Sequence, residues 1–285
     1  MGVKLVALAA ALLVATPSSR GVAFLQGRQL PDGSFAERGN PGFPQLTAWA
    51  TLGLAAAGAG PTARPSEIKY LVAHESELRS AGDLALVALA EDALGQSAAG
   101  PIARLRALER PNGPIGGLVN GTAWSVIAYR ATGTPVPRRT IRWLLGLQTR
   151  AGGWGWSPTG AADSNDTAAV VEALRAAKVG GAPIRRALRF LLGFRNRDGG
   201  FELTHGRGSD AQSTAWTIQA FVAAGKRSPR GAAAYLKRLQ RADGSFRYST
   251  RYTTTPVWVT AQVLPALARK AFPLRSRSSR ISSSR

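Results

Sequence analysis

The sequence predicts an all-α chain, an (α/α)6 toroid or barrel built from six helical hairpins. Three observations carry that expectation. A turn signature recurs along the chain, a second signature opens the helix after each turn, and amphipathic helices alternate with helices that are apolar nearly all round.

The turn signature appears in "RGVAFLQGRQLPDGSF" (20–35), "RTIRWLLGLQTRAGGW" (139–154) and "AAAYLKRLQRADGSF" (232–246). In each, an aromatic-Leu pair stands five residues before a Gln, with a Gly four residues after it and an aromatic six after it. The positions are Phe24, Leu25, Gln29, Gly33, Phe35; Trp143, Leu144, Gln148, Gly152, Trp154; and Tyr235, Leu236, Gln240, Gly244, Phe246. A fourth copy, "RALRFLLGFRNRDGGF" (186–201), keeps Phe190, Leu191, Gly199 and Phe201 but has Arg195 at the Gln position.

The second signature reads "TAW" at Thr47–Trp49, Thr122–Trp124 and Thr214–Trp216, "DTAAVV" at 166–171 and "TAQVL" at 260–264. The stretch "DLALVALAEDALG" (83–95) is a degenerate copy without the upstream Gln and Gly. Copies about 37 to 47 residues apart suit helical-hairpin repeats.

Within one copy, "PIRRALRFLLGFR" (183–195) places Ile184, Ala187, Leu188, Leu191 and Leu192 on one face and Arg185, Arg186 and Arg189 opposite, an outer amphipathic helix. Asp198-Gly199-Gly200 supplies turn chemistry. "AQSTAWTIQAFVAAG" (211–225) is apolar nearly all round, so it is expected to be buried on several sides, with Gly225 at its C-terminal cap. Such pairs, repeated six times, close most naturally into a two-layered ring. An open superhelix would need polar terminal copies, which are not seen.

Composition narrows the chemistry. The chain has 285 residues, 45% hydrophobic, with no cysteine and two histidines. Thiolate zinc sites, cysteine nucleophiles and thioesters are excluded, and His74 and His205 lie too far apart in sequence to suggest a metal site. No metal and no cofactor is expected. A charged start followed by "LVALAAALLVA" (5–15) and a small-residue exit near Ser18 reads as a leader over 1–18, cleaved near 16–19; a short buried N-terminal helix is the alternative. The toroid then occupies 19–272. Residues 273–285 read as a disordered Ser- and Arg-rich tail. The product is expected to be secreted to the cell envelope. A net charge of +21 favours anionic membrane or wall surfaces as partners, with no motif for specific nucleic-acid binding.

The Arg-Gly-x-x-Phe-Leu-x-x-x-Gln-x-x-x-Gly-x-Phe pattern at 20–35, with its copies, resembles the QW repeats of squalene-hopene and related triterpene cyclases. More broadly the chain is similar to the terpenoid cyclase/protein prenyltransferase toroid superfamily. The resemblance implies that the Gln and aromatic tie outer helices to neighbouring turns. It also implies, for class II cyclases, an Asp-x-Asp-Asp-Thr-Ala motif whose central Asp protonates an alkene. This chain has Asp163-Ser164-Asn165-Asp166-Thr167-Ala168. An amide has no accessible acidic proton, so Asn165 cannot fill that role. Such cyclases also pair two toroids, and whether another chain supplies a second one is open.

Asp163 and Asp166 remain the catalytic candidates, against the reading that they cap a helix. Aligned on Thr167, Asn165 shares a column with Gln212, Asn120 and Gln45, and Asp163 aligns with Asp210. These four amides, with Trp156, Trp154, Phe201, Tyr248 and Trp258, are the candidate ligand-binding residues. Trp49, Trp124 and Trp216 recur at one inner-helix position and read chiefly as packing. The favoured function is a non-catalytic toroid that binds an apolar, isoprenoid-like small molecule. The alternatives are an active class II terpene cyclase using Asp163 or Asp166, and an envelope interaction scaffold.

Overall fold

The computed structural model describes residues 16–59 and 66–274. Twelve α-helices follow one another in this region: α1 (Pro17–Gln26), α2 (Pro44–Ala56), α3 (Glu67–Ala73), α4 (Ala81–Ala93), α5 (Ala99–Ala107), α6 (Val119–Ala131), α7 (Arg138–Gly146), α8 (Ser164–Ala176), α9 (Ala182–Leu192), α10 (Ala211–Ala223), α11 (Ala232–Arg238) and α12 (Pro256–Leu267). The expected leader lies largely outside the described residues. Its expected cleavage region, 16–19, forms the N-cap and first turn of α1.

The even-numbered helices form the inner wall. Each packs against the next, α2 on α4, α4 on α6, α6 on α8, α8 on α10 and α10 on α12, and α12 returns to α2. The inner helices therefore close a ring. At that seam a methyl group on Gly53 would meet the Ala261 carbonyl oxygen at 2.6 Å, so α2 and α12 approach as closely as backbones allow. The inner helices are buried nearly all round, as in α10, where Ala211 and every residue from Ser213 to Phe221 is enclosed. The odd-numbered helices form the outer layer. In α9, Ile184, Ala187, Leu188 and Leu191 face inward while Arg185, Arg186 and Arg189 are exposed. For these four positions the sequence pattern and the layer assignment agree, because burying each large aliphatic side chain is worth about 1.5–3 kcal/mol, whereas Leu192, expected on the same face, ends the helix 46% exposed.

Both repeated signatures resolve into specific hydrogen bonds. Gln148 Nε2 donates to the carbonyl of Gly152 in its own turn, 2.8 Å, and to that of Pro183 at the start of the next outer helix, 2.9 Å. Gln240 does the same with Gly244 and with Pro17, 2.9 and 2.8 Å, which joins the last turn to the first helix. Gln29 donates to the Gly33 carbonyl and to Glu67 at the start of α3. The turn glycines sit with positive φ against the next outer helix. Gly244, at φ +89°, would press any side chain to within 2.4 Å of the Arg20 carbonyl oxygen.

The threonines of the second signature hold the turns from the other side. Oγ1 of Thr47, Thr122, Thr167, Thr214 and Thr260 accepts the backbone N–H of Phe35, Ile115, Trp154, Phe201 and Phe246 respectively, at 2.9–3.0 Å. Glu109 and Ile115 pair across their turn as Gln29 and Phe35 do. This is a further copy of the turn, with Glu in place of Gln, and Arg139 of α7 supplies the tie by donating to Glu109 Oε2 at 2.8 Å. The degenerate copy has Leu84 at the Thr position, and α4 opens instead on a reciprocal cap between Ser80 and Asp83.

Replacing Thr214 by Val keeps the shape but strands the Phe201 N–H in the core. Thr214→Val is expected to lower stability by about 1–3 kcal/mol in urea denaturation, with an unchanged helical circular-dichroism signal in the absence of urea.

Candidate functional site at the toroid axis

The N-terminal ends of the inner helices form one mouth of the ring, and neighbouring hairpins cap them. The Trp156 carbonyl accepts the N–H groups of Val119 and Asn120, opening α6; the Leu203 carbonyl accepts from Ser164, opening α8; the Tyr248 carbonyl accepts from Ala211, opening α10. The Glu37 carboxylate takes the same place on α12, accepting from Val257 and Trp258. At these four helices the following hairpin thus satisfies helix-end donors of the one before it.

Helical spacing places Gln45, Asn120, Asn165, Gln212 and Trp258 at one register position around this mouth. Asn120 is the buried member, and its Nδ2 donates to Asp166 Oδ1 at 2.7 Å. Asp163 is the N-cap of α8, its Oδ1 accepting the Asp166 N–H at 2.8 Å. Asp210 caps α10 in the same way through Ser213. Burial, reinforced by the adjacent Asp163 carboxyl, pushes Asp166 up to about 8, with Asn120 opposing the shift. Asp166 therefore keeps its proton at neutral pH. Asn165 is half-buried and accepts from Ser164 Oγ at 3.3 Å.

The predicted aromatics divide. Trp258 is half-buried and stacks with Phe43, centroids 6.2 Å apart. Trp156 stands 55% exposed, and Tyr248 is half-buried beside Asp210 and Arg207. Trp154 and Phe201 are not at the mouth. They are enclosed between the layers, and the Trp154 indole N–H donates to the Leu144 carbonyl at 2.7 Å. Their place in the turn signature reflects packing against the Thr-anchored backbone.

One turn inward, Trp49, Trp124 and Trp216 come from alternate inner helices and meet on the axis. Their ring centroids lie 5.3 Å (Trp49–Trp124), 5.7 Å (Trp124–Trp216) and 6.1 Å (Trp49–Trp216) apart. Phe272, beyond the end of α12, joins them at 5.7 Å from Trp124 and 6.1 Å from Trp49. No local pattern in the residues around Phe272 places it here. A second signal is legible in the sequence: Glu172, Gln219 and Gln262 interrupt the apolar stretches in the middle of α8, α10 and α12. All three are buried, and burial pushes Glu172 up to about 8. Among the described residues no cluster of His, Cys, Asp and Glu could hold a metal ion, and no helix is long and apolar enough to cross a membrane.

Comparison with solved structures places this ring. A protein from Actinoplanes is 21% identical with a TM-score of 0.67, covering 89% of this chain and 98% of its own. The type II terpene cyclase MstE from Scytonema is 18% identical with a TM-score of 0.66, over 89% and 96% of the two chains. The fold is that of the terpenoid cyclase and prenyltransferase toroids. A glycosidase described with glucose is also similar, at 12% identity and a TM-score of 0.59, over 89% and 95% of the chains. The ring is thus shared by different chemistries. The chain spans nearly all of MstE, so having one toroid does not by itself set it apart from a terpene cyclase. No protein-family model and no curated protein matches the sequence.

The buried carboxyls give a pH test. Asp166 and Glu172 rise to about 8, Glu91 to about 7, and Asp210 and Asp92 to about 6, all with burial as the first cause. Between about pH 4 and 8 the folded chain holds protons that the unfolded chain releases. Stability therefore falls as pH rises through that window, by up to about 1.4 kcal/mol per pH unit for each group. The melting temperature is expected to be higher at pH 5 than at pH 8, and Asp166→Asn should flatten the slope.

Proposed function

We propose that the protein is a non-catalytic binding toroid that holds an apolar, isoprenoid-like molecule in its aromatic centre at the cell envelope. The axial cluster of Trp49, Trp124 and Trp216 carries this reading. Three indoles on alternate helices offer flat apolar faces to a polyene, and exchange of ring–ring contacts for ring–ligand contacts keeps them dry. MstE has been described in complex with geranylgeranyl dihydroxybenzoate, which supports the ligand class. The non-catalytic part rests on Asn165, an amide where an alkene-protonating carboxyl would stand, and on Asp166 being engaged by Asn120.

One observation favours the rival reading, a class II cyclase. Asp166 retains a proton at neutral pH and lies at the mouth. Titration with squalene is expected to quench the tryptophan emission, with affinity at least about tenfold weaker in Trp124→Ala. Incubation with squalene or geranylgeranyl diphosphate should return both uncyclised. A cyclised product that disappears in Asp166→Asn would replace the binder with the enzyme.

The leader-like start and the excess of arginine support export and docking on anionic envelope polymers. Two surface grooves, one lined by Arg130, Arg138 and Arg142 and the other by Arg238, Arg241 and Arg247, present that charge away from the axis. Retention on vesicles containing phosphatidylglycerol is expected at low salt and should fall steeply by about 0.5 M NaCl, where screening shortens to a few ångströms.

A further inference from the structure

Beside and below the indoles the axis turns polar. Gln262 of α12 occupies the register position of Trp49, Trp124 and Trp216, and Glu172 and Gln219 share the position three residues further along α8 and α10. Glu172 is 3% exposed and the two glutamines 1% each. Nε2 of Gln219 and both amide atoms of Gln262 have no hydrogen-bond partner among the described residues. Buried amides left this way are costly, and nothing in ring closure requires them, since Leu52, Leu89 and Ile127 fill the same position as Gln219 in other copies.

A polar group that does enter this layer comes from outside the inner wall. The backbone N–H of Phe272 donates to Glu172 Oε2 at 2.7 Å while its ring lies against Trp49 and Trp124. α12 ends at Leu267, and the chain is then reversed. Arg269 N–H bonds to the Ala266 carbonyl and Lys270 N–H to that of Pro265, with Arg269 in the left-handed region at φ +53°. That reversal carries Phe272 back into the ring, while Lys270 stays exposed. Phe272 thereby presents to the axis one apolar ring and one hydrogen-bond donor, the two features of a small amphiphilic ligand.

We propose that Glu172, Gln219 and Gln262 form the polar subsite of the axial ligand site, that it takes an apolar chain ending in a hydroxyl, and that the 269–274 segment occupies it as a displaceable stand-in. This deepens the binder reading and rests on it. A hydroxyl donates to Glu172 Oε2 as the Phe272 N–H does, and accepts from Gln219 or Gln262 in the same contact. The subsite selects a neutral head. Its three side chains supply no cation to hold a diphosphate, and burial favours the protonated Glu172 carboxyl, which offers no charge to an ammonium.

The test compares geranylgeraniol with phytane, a hydrocarbon of like branching and chain length, by tryptophan quenching. Phe272→Ala should tighten geranylgeraniol about tenfold. Gln262→Leu, which keeps the bulk but removes the amide, should weaken it about tenfold and leave phytane unchanged. In the unmodified protein, saturating geranylgeraniol should speed tryptic cleavage after Lys270 several-fold, a readout that does not depend on any variant folding. Equal responses of alcohol and hydrocarbon to Gln262→Leu would overturn the polar subsite while the binder reading stood. An unchanged cleavage rate at saturation would overturn the stand-in. Failure of both probes to bind either form would remove the binder reading itself.

Discussion

Each of the repeated glycine turns, with Gln, Glu or Arg at its first position, brings a backbone N–H into the space between two helical layers, where neither helix nor water can satisfy it. A single threonine oxygen on the inner helix accepts it, five times around the ring. The bond fixes the height of the turn on its helix, and that in turn sets the height of the aromatic side chain on the same residue. At three of these turns the carbonyl two residues further on reaches the end of the neighbouring inner helix, and at a fourth the Glu37 carboxylate does so. Ring geometry is therefore propagated by backbone satisfaction, and the apolar contacts fill the space it defines.

The axis follows different rules from the walls. Six large side chains at one level would not fit, and indoles occur on alternate helices, α2, α6 and α10, with Leu86, Ala169 and Gln262 between them. The mouth is lined by amides and caps, and the far side by carboxyl and amide groups. Polar groups thus bracket an aromatic layer on both sides. Such an order suits a long molecule with distinct ends better than a uniform hydrocarbon.

Much of this was legible in the residues. The Gln, Gly and aromatic spacing located the turns, and the Thr located the inner helices, because both are local devices whose partners lie within about fifteen residues or in the adjoining copy. The copy at Glu109–Ile115 escaped that spacing because Glu replaces Gln and Ile replaces the aromatic, although Gly113 keeps its offset. Trp154 and Phe201 looked like mouth residues since their neighbours in sequence, Trp156 and Leu203, do reach the rim; within two residues the chain passes from the buried, Thr-anchored turn to the end of the neighbouring helix. The Phe272–Glu172 contact was beyond reach. It joins residues one hundred positions apart through a reversal set by Arg269, which carries no turn-forming side chain.

The bonds from Gln240 to the Pro17 carbonyl and from Arg20 to the Arg241 carbonyl weld the first helix to the last turn across more than two hundred residues. An open stack of hairpins can fray from either end, copy by copy. Here the opening and closing copies guard one another, so melting has no free margin from which to start. The same weld makes assembly wait: a growing chain can stack its hairpins during synthesis but gains a complete circumference only when the sixth meets the first. High sequence separation of that last contact slows folding and, once made, favours all-or-none loss of the structure.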